Sequence, residues 1–127
     1  MAVRGLLFVG SGAAVGASLR WWLGILLNSV FPTLPLGTLA ANLLGGYLMG
    51  LSVGWIVHFE SLPPEARLFI MTGLLGGLTT FSTFSAETVN LMLRHQYHWA
   101  ATEIFVHVAG SLLMTLCGIL TIQLLRG

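Results

Sequence analysis

The 127-residue chain contains no lysine and no aspartate, and its charge rests on five arginines and four glutamates. Charged residues make up 7% of the sequence, against about 25% in an ordinary soluble domain. A chain this poor in charge cannot cover itself with polar surface. With 56% hydrophobic residues and a mean hydropathy of +0.91, it must be solvated by lipid. Net charge is only +1, which leaves no electrostatic footprint for nucleic acid, so no such partner is expected. Cysteine is nearly absent as well. Cys117 stands alone in an apolar run, which excludes a disulfide framework or a cysteine-based metal cluster and leaves a small buried hydrophobe. A removable leader is also not expected, because the first apolar run, Gly5 to Leu27, exceeds a signal-peptide core and has no obvious cleavage site. The spans hold no nucleophile–base pair or metal-ligand set, so the chain does not read as an enzyme.

What is present is a series of long apolar stretches. Candidate spans of about 20 residues fall near 4–27, 36–57, 67–93 and 100–125, in a single four-helix membrane domain over 1–127. Asn28, Pro32 and Pro35 mark the first turn, and HFESLPPEAR makes the second connection. Four spans put both termini on one side. Arg4, Arg67 and Arg126 lie on that side, with Arg94 and Arg20 on the other, a bias too small to set one orientation. Two oppositely inserted copies could then pair about a two-fold axis in the membrane plane. A fixed but weakly encoded orientation remains open on charge count alone.

Polar and small residues fall on particular helical faces. Thr38, Asn42, Gly46, Gly50 and Gly54 recur every fourth residue in the second span, and Gly12, Gly16, Arg20 and Gly24 do so in the first. Such stripes let another backbone approach closely. Asn42 reads either as interhelical glue or as the lining of a polar path. His107, Ser111 and Thr115 form a matching polar stripe on the fourth span, and donors without nearby acids suit an anion. Arg20 falls near one interface, as a snorkelling anchor or a vestibule charge. Glu87, the acid read as deep in a span, is a functional candidate there. It also suits the first turn of a helix facing the positive dipole end, and a capping or structural role is favoured over a direct one in transport. His95 and His98 are three apart but have no acid or thiol to complete a metal site, so they read as interfacial anchors with Tyr97 and Trp99.

The third span is interrupted by GGLTTFSTF at 76–84. Non-helical backbone at membrane depth is tolerated only where protein buries it or a polar cavity meets it. Half-helices over 67–75 and 83–93 are expected, with Gly76 and Gly77 loosening the chain between them and a break near 76–82. Freed carbonyls there need a partner, which a bound cation can supply. Phe81 and Phe84 share a face if helical geometry has resumed by then. Their positive ring edges can touch a small anion beside hydroxyl and amide donors.

GGLTTFSTFSAE at 76–87, GTLAANLLGGYLMG at 37–50, GSLLMT at 110–115 and the GAxxGAxLRW pattern at 12–21 together resemble the small dual-topology bacterial fluoride channels, the Fluc/CrcB family. The resemblance covers essentially the whole chain. It implies an all-α membrane protein whose third helix is broken mid-membrane, assembled as an antiparallel homodimer in the bacterial inner membrane. It also implies passive, selective export of fluoride through two separate paths per dimer. Carried onto this chain, Asn42, Phe81, Phe84, Ser111 and Thr115 would line the fluoride pore and Arg20 its vestibule. The backbone carbonyls of Gly76 and Thr79 from both subunits would hold a structural Na⁺ on the two-fold axis. His107 departs from the small hydroxyl or amide expected in the polar track. Neutral it donates one hydrogen bond, and protonated it adds charge, so conductance is expected to depend on pH through it. The alternatives are a small dual-topology proton-coupled exporter using Glu87 and a non-transporting assembly subunit.

Overall fold

A computed structural model describes residues 2–127, and every regular element among them is helical. Helix α1 covers Ala2–Leu27 and α2 covers Leu36–His58. Residues 64–78 form α3, which begins with an α-turn (Pro64–Arg67), widens to π-helix (Leu68–Leu75) and tightens again (Gly76–Leu78). Helix α4 is Phe81–Leu93 and α5 is Tyr97–Arg126. Four stretches, with α3 and α4 counted together as Pro64–Leu93, are long and apolar enough to cross a membrane.

The packing follows from where side chains are small. Lipid tails are as apolar as leucine, so helices in a membrane associate through close contact rather than through hydrophobic exclusion. Helix α1 lies along α3 and α2 along α5. A Cβ on Gly12 or Gly16 would run into the Phe69 or Leu74 carbonyl of α3. Across the second pair, Gly50 and Gly118 bring their backbones together, and a Cβ on either would strike the facing helix. The interior is correspondingly small. Ala41, Leu75 and Leu78 are its buried apolar centre, while Leu6, Trp21, Phe105 and Leu124 face outward as a lipid-solvated surface would.

The ends of the helices are held from outside themselves. Pro35 offers α2 no side-chain cap. Asn28 supplies one instead, its Oδ1 accepting from Gly37 N at 2.8 Å and Thr38 N at 3.3 Å. His95, at φ 61°, turns the chain between α4 and α5, a left-handed conformation in which histidine is one of the enriched non-glycine residues.

The interruption in the third span differs from the sequence expectation. Gly76 and Gly77 are helical, and only Thr79 (φ −86°, ψ 155°) and Thr80 (φ −149°, ψ 116°) are extended. Gly77 serves packing, since a Cβ there would meet the Ala13 backbone of α1. The helix stops two residues later, where a side chain from α2 takes the place of the next helical acceptor. Helix α4 then restarts at Phe81, with Thr80 as its N-cap accepting from Thr83 N at 3.1 Å.

Gly50→Val should place a branched side chain against the Thr115 carbonyl and destabilise the fold by about 1–3 kcal/mol. Thermal unfolding in detergent measures this, and an unchanged midpoint would contradict the α2–α5 contact.

Candidate functional site

Asn42 on α2 is buried and its amide reaches the extended backbone of the break. Its Oδ1 accepts from Thr80 N at 2.7 Å, and its Nδ2 donates to Thr80 O at 3.1 Å. The side chain thus pairs with Thr80 at both polar groups, as a neighbouring β-strand would. Because Thr80 N–H can only donate, the facing atom of Asn42 must be the oxygen, which fixes the amide's orientation. Nδ2 therefore also donates to His107 Nδ1 on α5, 3.0 Å away. With Nδ1 accepting, a neutral imidazole carries its hydrogen on Nε2.

This clamp determines which carbonyls are left free. Thr80 N would ordinarily bond Gly76 O, and Thr83 N would bond Thr79 O, but both donors are diverted, to Asn42 Oδ1 and Thr80 Oγ1. The Gly76 and Thr79 carbonyls, the two expected to hold Na⁺, therefore lack their helical partners. Hard carbonyl oxygens without donors are suitable cation ligands. One chain offers two, so it provides part of a coordination shell. The carbonyl between them has a different partner: Arg20 Nε donates to Gly77 O at 3.0 Å. Arg20 is thus tied to the break, beside a cavity of about 310 Å³ that also touches Asn28, Thr38 and Thr80.

A larger cavity, about 400 Å³, opens at the break and brings together Asn42, Phe81, Phe84, His107, Ser111 and Thr115. All six pore residues expected from the sequence therefore meet in one place, and no carboxylate lines the cavity. Phe84 is buried, its ring centroid 5.4 Å from that of Phe81 in an edge arrangement and 4.8 Å from that of His107. Phe81 lies open, 78% exposed, so this chain alone closes the ring pair on one side only.

Several hydrogens expected to face an anion are already engaged. Both Asn42 N–H groups are used on Thr80 and His107. Thr115 Oγ1 lies 3.0 Å from both the Gly46 and Ser111 carbonyls, so its single hydrogen is directed to backbone. His107 Nε2–H and the Ser111 hydroxyl remain as donors. Asn42 acts by positioning the break and the imidazole.

Glu87 does not cap a helix. Helix α4 begins at Phe81 and carries no acid in its first turn, so Glu87 lies beyond reach of the dipole end. Its Oε2 accepts from Thr38 Oγ1 at 2.7 Å. It is also not the only acid inside a span. Glu103, on α5, is 1% exposed, accepts from Thr88 Oγ1 at 3.3 Å and faces Glu87 and His107. The sequence signal for it was its spacing, since Glu103 and His107 are i, i+4 on one helical face. His95 and His98 are not part of this group, and His95 pairs with the Tyr97 hydroxyl at 3.1 Å.

The profile of the CrcB family (CrcB-like protein, Camphor Resistance) matches residues 7–119. A "Fluoride-specific ion channel FluC" of Nitrosospira multiformis is 62% identical over 97% of this chain and 96% of its own length. Proteins of the same name from Thiobacillus denitrificans and Pseudomonas putida are 53% and 52% identical, over 94% and 98% of this chain and 97% and 98% of their own. With four membrane-spanning helices, a break clamped at mid-span and similarity along nearly its whole length, the chain belongs to the CrcB family.

Proposed function

We infer that this protein is a fluoride-specific channel that lets F⁻ leave the cell down its electrochemical gradient. The observation that carries the reading is the cavity at the break, which combines N–H and O–H donors with phenyl edges and has no carboxylate. Fluoride is small and strongly hydrated, so a narrow path must replace its water shell with donors. His107 Nε2–H, the Ser111 hydroxyl and the edges of Phe81 and Phe84 are the groups left to do so. Fluoride enters cells as neutral HF in acid surroundings and dissociates inside. An inside-negative potential then drives the anion out without an energy-coupling step.

The working unit is an antiparallel homodimer. The weak arginine bias permits insertion both ways, and the exposed Phe81 ring leaves one side of the cavity for a second copy to close. A structural Na⁺ would be held by the Gly76 and Thr79 carbonyls of both copies, joining the two breaks at the dimer axis. Its role is to neutralise oxygens that the Asn42 clamp deprives of donors.

Fluoride efflux from liposomes, with chloride as control, tests the channel directly. Asn42→Ala should slow efflux roughly tenfold or more, since it removes hydrogen bonds of about 1 kcal/mol each, and Phe81→Ile should impair it as well. Normal efflux in both variants would refute the assignment of the pore. Replacing Na⁺ by a large organic cation should lower the melting temperature of the purified dimer. An unchanged melting curve, or a monomer in detergent at every concentration, would count against the sodium-joined pair. The Glu87–Glu103 pair gives the proton-coupled exporter some support, because such a carrier needs a membrane carboxylate. Glu87→Gln separates the readings, because an antiporter stops outright, whereas a channel still conducts even if its rate and pH profile change.

A further inference from the structure

The pore reading uses neither Glu87 nor Glu103, yet both lie inside the helical bundle. Glu87 Oε1 is shielded from solvent and has no hydrogen-bond partner among the described residues. One oxygen from each carboxyl and one ring nitrogen of His107 lie within 4.8 Å of one another. Two acids and an imidazole at that spacing have the composition of a divalent-metal site. The Asn42 clamp argues against one. His107 Nδ1 already accepts from Asn42, so Nε2 carries hydrogen and neither nitrogen has a free lone pair. Two carboxylates alone do not make a transition-metal site.

The other groups around the pair do not neutralise it. Helix α2 contributes the Thr38 hydroxyl, α4 the Thr88 hydroxyl, and α5 His107. The connection from α1 to α2 contributes Pro32, Thr33 and Pro35, none charged. Arg20 of α1 is tied to the Gly77 carbonyl. Arg94 shares with Glu87 a cavity of about 170 Å³ near the α4–α5 turn, and it makes no ion pair there among the described residues. Two like charges this close in a medium of low dielectric repel strongly. One proton between the carboxyls removes that repulsion and gives the orphaned Glu87 oxygen its partner.

The location gives the pair a role. His107 lines the inner cavity at the break, and Glu87 lines the outer cavity near Arg94. The acid pair thus borders on both spaces, since Glu87 lines the outer cavity and both carboxyls lie within 4.8 Å of a ring nitrogen of His107, which lines the inner one. We propose that Glu87 and Glu103 hold a single proton between them and form a station through which fluoride passes from one cavity to the other. When the anion arrives, the O–H turns from the partner carboxylate to donate to fluoride, so the hydrogen bond between the carboxyls is given up while the O–H bond is kept and no HF is released. Loss of the proton removes the donor and raises the pair from one negative charge to two, which repels fluoride more strongly. Conduction through this chain is therefore fastest in acid and falls as pH rises. This inference rests on the fluoride-channel reading.

Efflux from liposomes between about pH 5.5 and about pH 8.5, corrected for leak from protein-free vesicles, tests it. Wild type should slow roughly tenfold across that range as the pair becomes doubly charged. Glu103→Gln should flatten the profile, conducting more slowly than wild type in acid and faster in alkali. His107→Ser should keep the slope, because the station assigns the pH dependence to the acid pair and not to the imidazole expected from the sequence. Infrared spectra of the full chain in lipid give a readout that does not depend on flux. A carboxylic-acid C=O band should be present at neutral pH and lost in Glu103→Gln. A conducting wild type with a flat profile, an unchanged slope in Glu103→Gln, a slope abolished by His107→Ser, or no acid band would each overturn the station. A wild type that passes no fluoride at any pH would overturn the channel reading and the station with it, while the infrared band would still report whether the proton is held.

Discussion

One side chain holds the broken span together. The Asn42 amide pairs with both polar groups of the Thr80 backbone, and without it Thr80 would present an unpaired N–H and C=O in the interior of a membrane helix. Unsatisfied backbone groups cost several kcal/mol each in hydrocarbon, so the extended step and the clamp require each other. The other features of the site follow from this pairing. It diverts the donor that would have bonded Gly76 O, sets the hydrogen of His107 on Nε2, and leaves Thr80 free to cap α4 through Thr83 N.

The glycine stripes are what bring the clamp within reach. Gly46 and Gly50 let α2 press against α5, where a Cβ would meet the Ser111 and Thr115 carbonyls. That approach places Asn42 beside His107 and Thr115 Oγ1 beside Gly46 O. Gly12, Gly16 and Gly77 do the same for α1 and α3, and in doing so bring Arg20 to the Gly77 carbonyl. Polar contacts inside this bundle thus depend on close backbone packing, since no hydrophobic driving force separates protein from lipid tails.

Span count, the interruption of the third span and the polar stripe of α5 were legible because each is written as a period or a composition. The site of the interruption was not. Glycines suggested a break at Gly76 and Gly77, but a break forms where an outside group supplies a substitute for the helical bond, and that group lies 38 residues away at Asn42. Arg20 is a similar case. Its position along α1 suggested an interfacial anchor or a vestibule charge, and gave no sign that its guanidinium reaches a carbonyl 57 residues further on. Glu87 suited a helix start that shifted to Phe81 once Thr80 became the cap. Glu103 was hidden by its neighbours, near the start of a span and among residues that look interfacial. Only the fold turns it toward Glu87.

The chain carries its polar groups in two separate compartments, and the separation bears on how an anion can cross. Within the larger cavity at the break the donors that line it are neutral and no carboxylate intrudes, so an anion there meets N–H, O–H and ring edges. Toward the α4–α5 turn, Arg94 is the cation beside the outer cavity among the described residues, with half-buried Glu87 in the same wall and buried Glu103 close to it. Arg94 draws an anion inward, and the carboxyls oppose it according to their charge. His107 lines the inner cavity and lies against the acid pair, and its tautomer is fixed by the same amide that holds the break. The geometry that opens the helix for fluoride therefore also orients the group through which the inner cavity meets the acid pair, which couples the two ends of the path through Asn42.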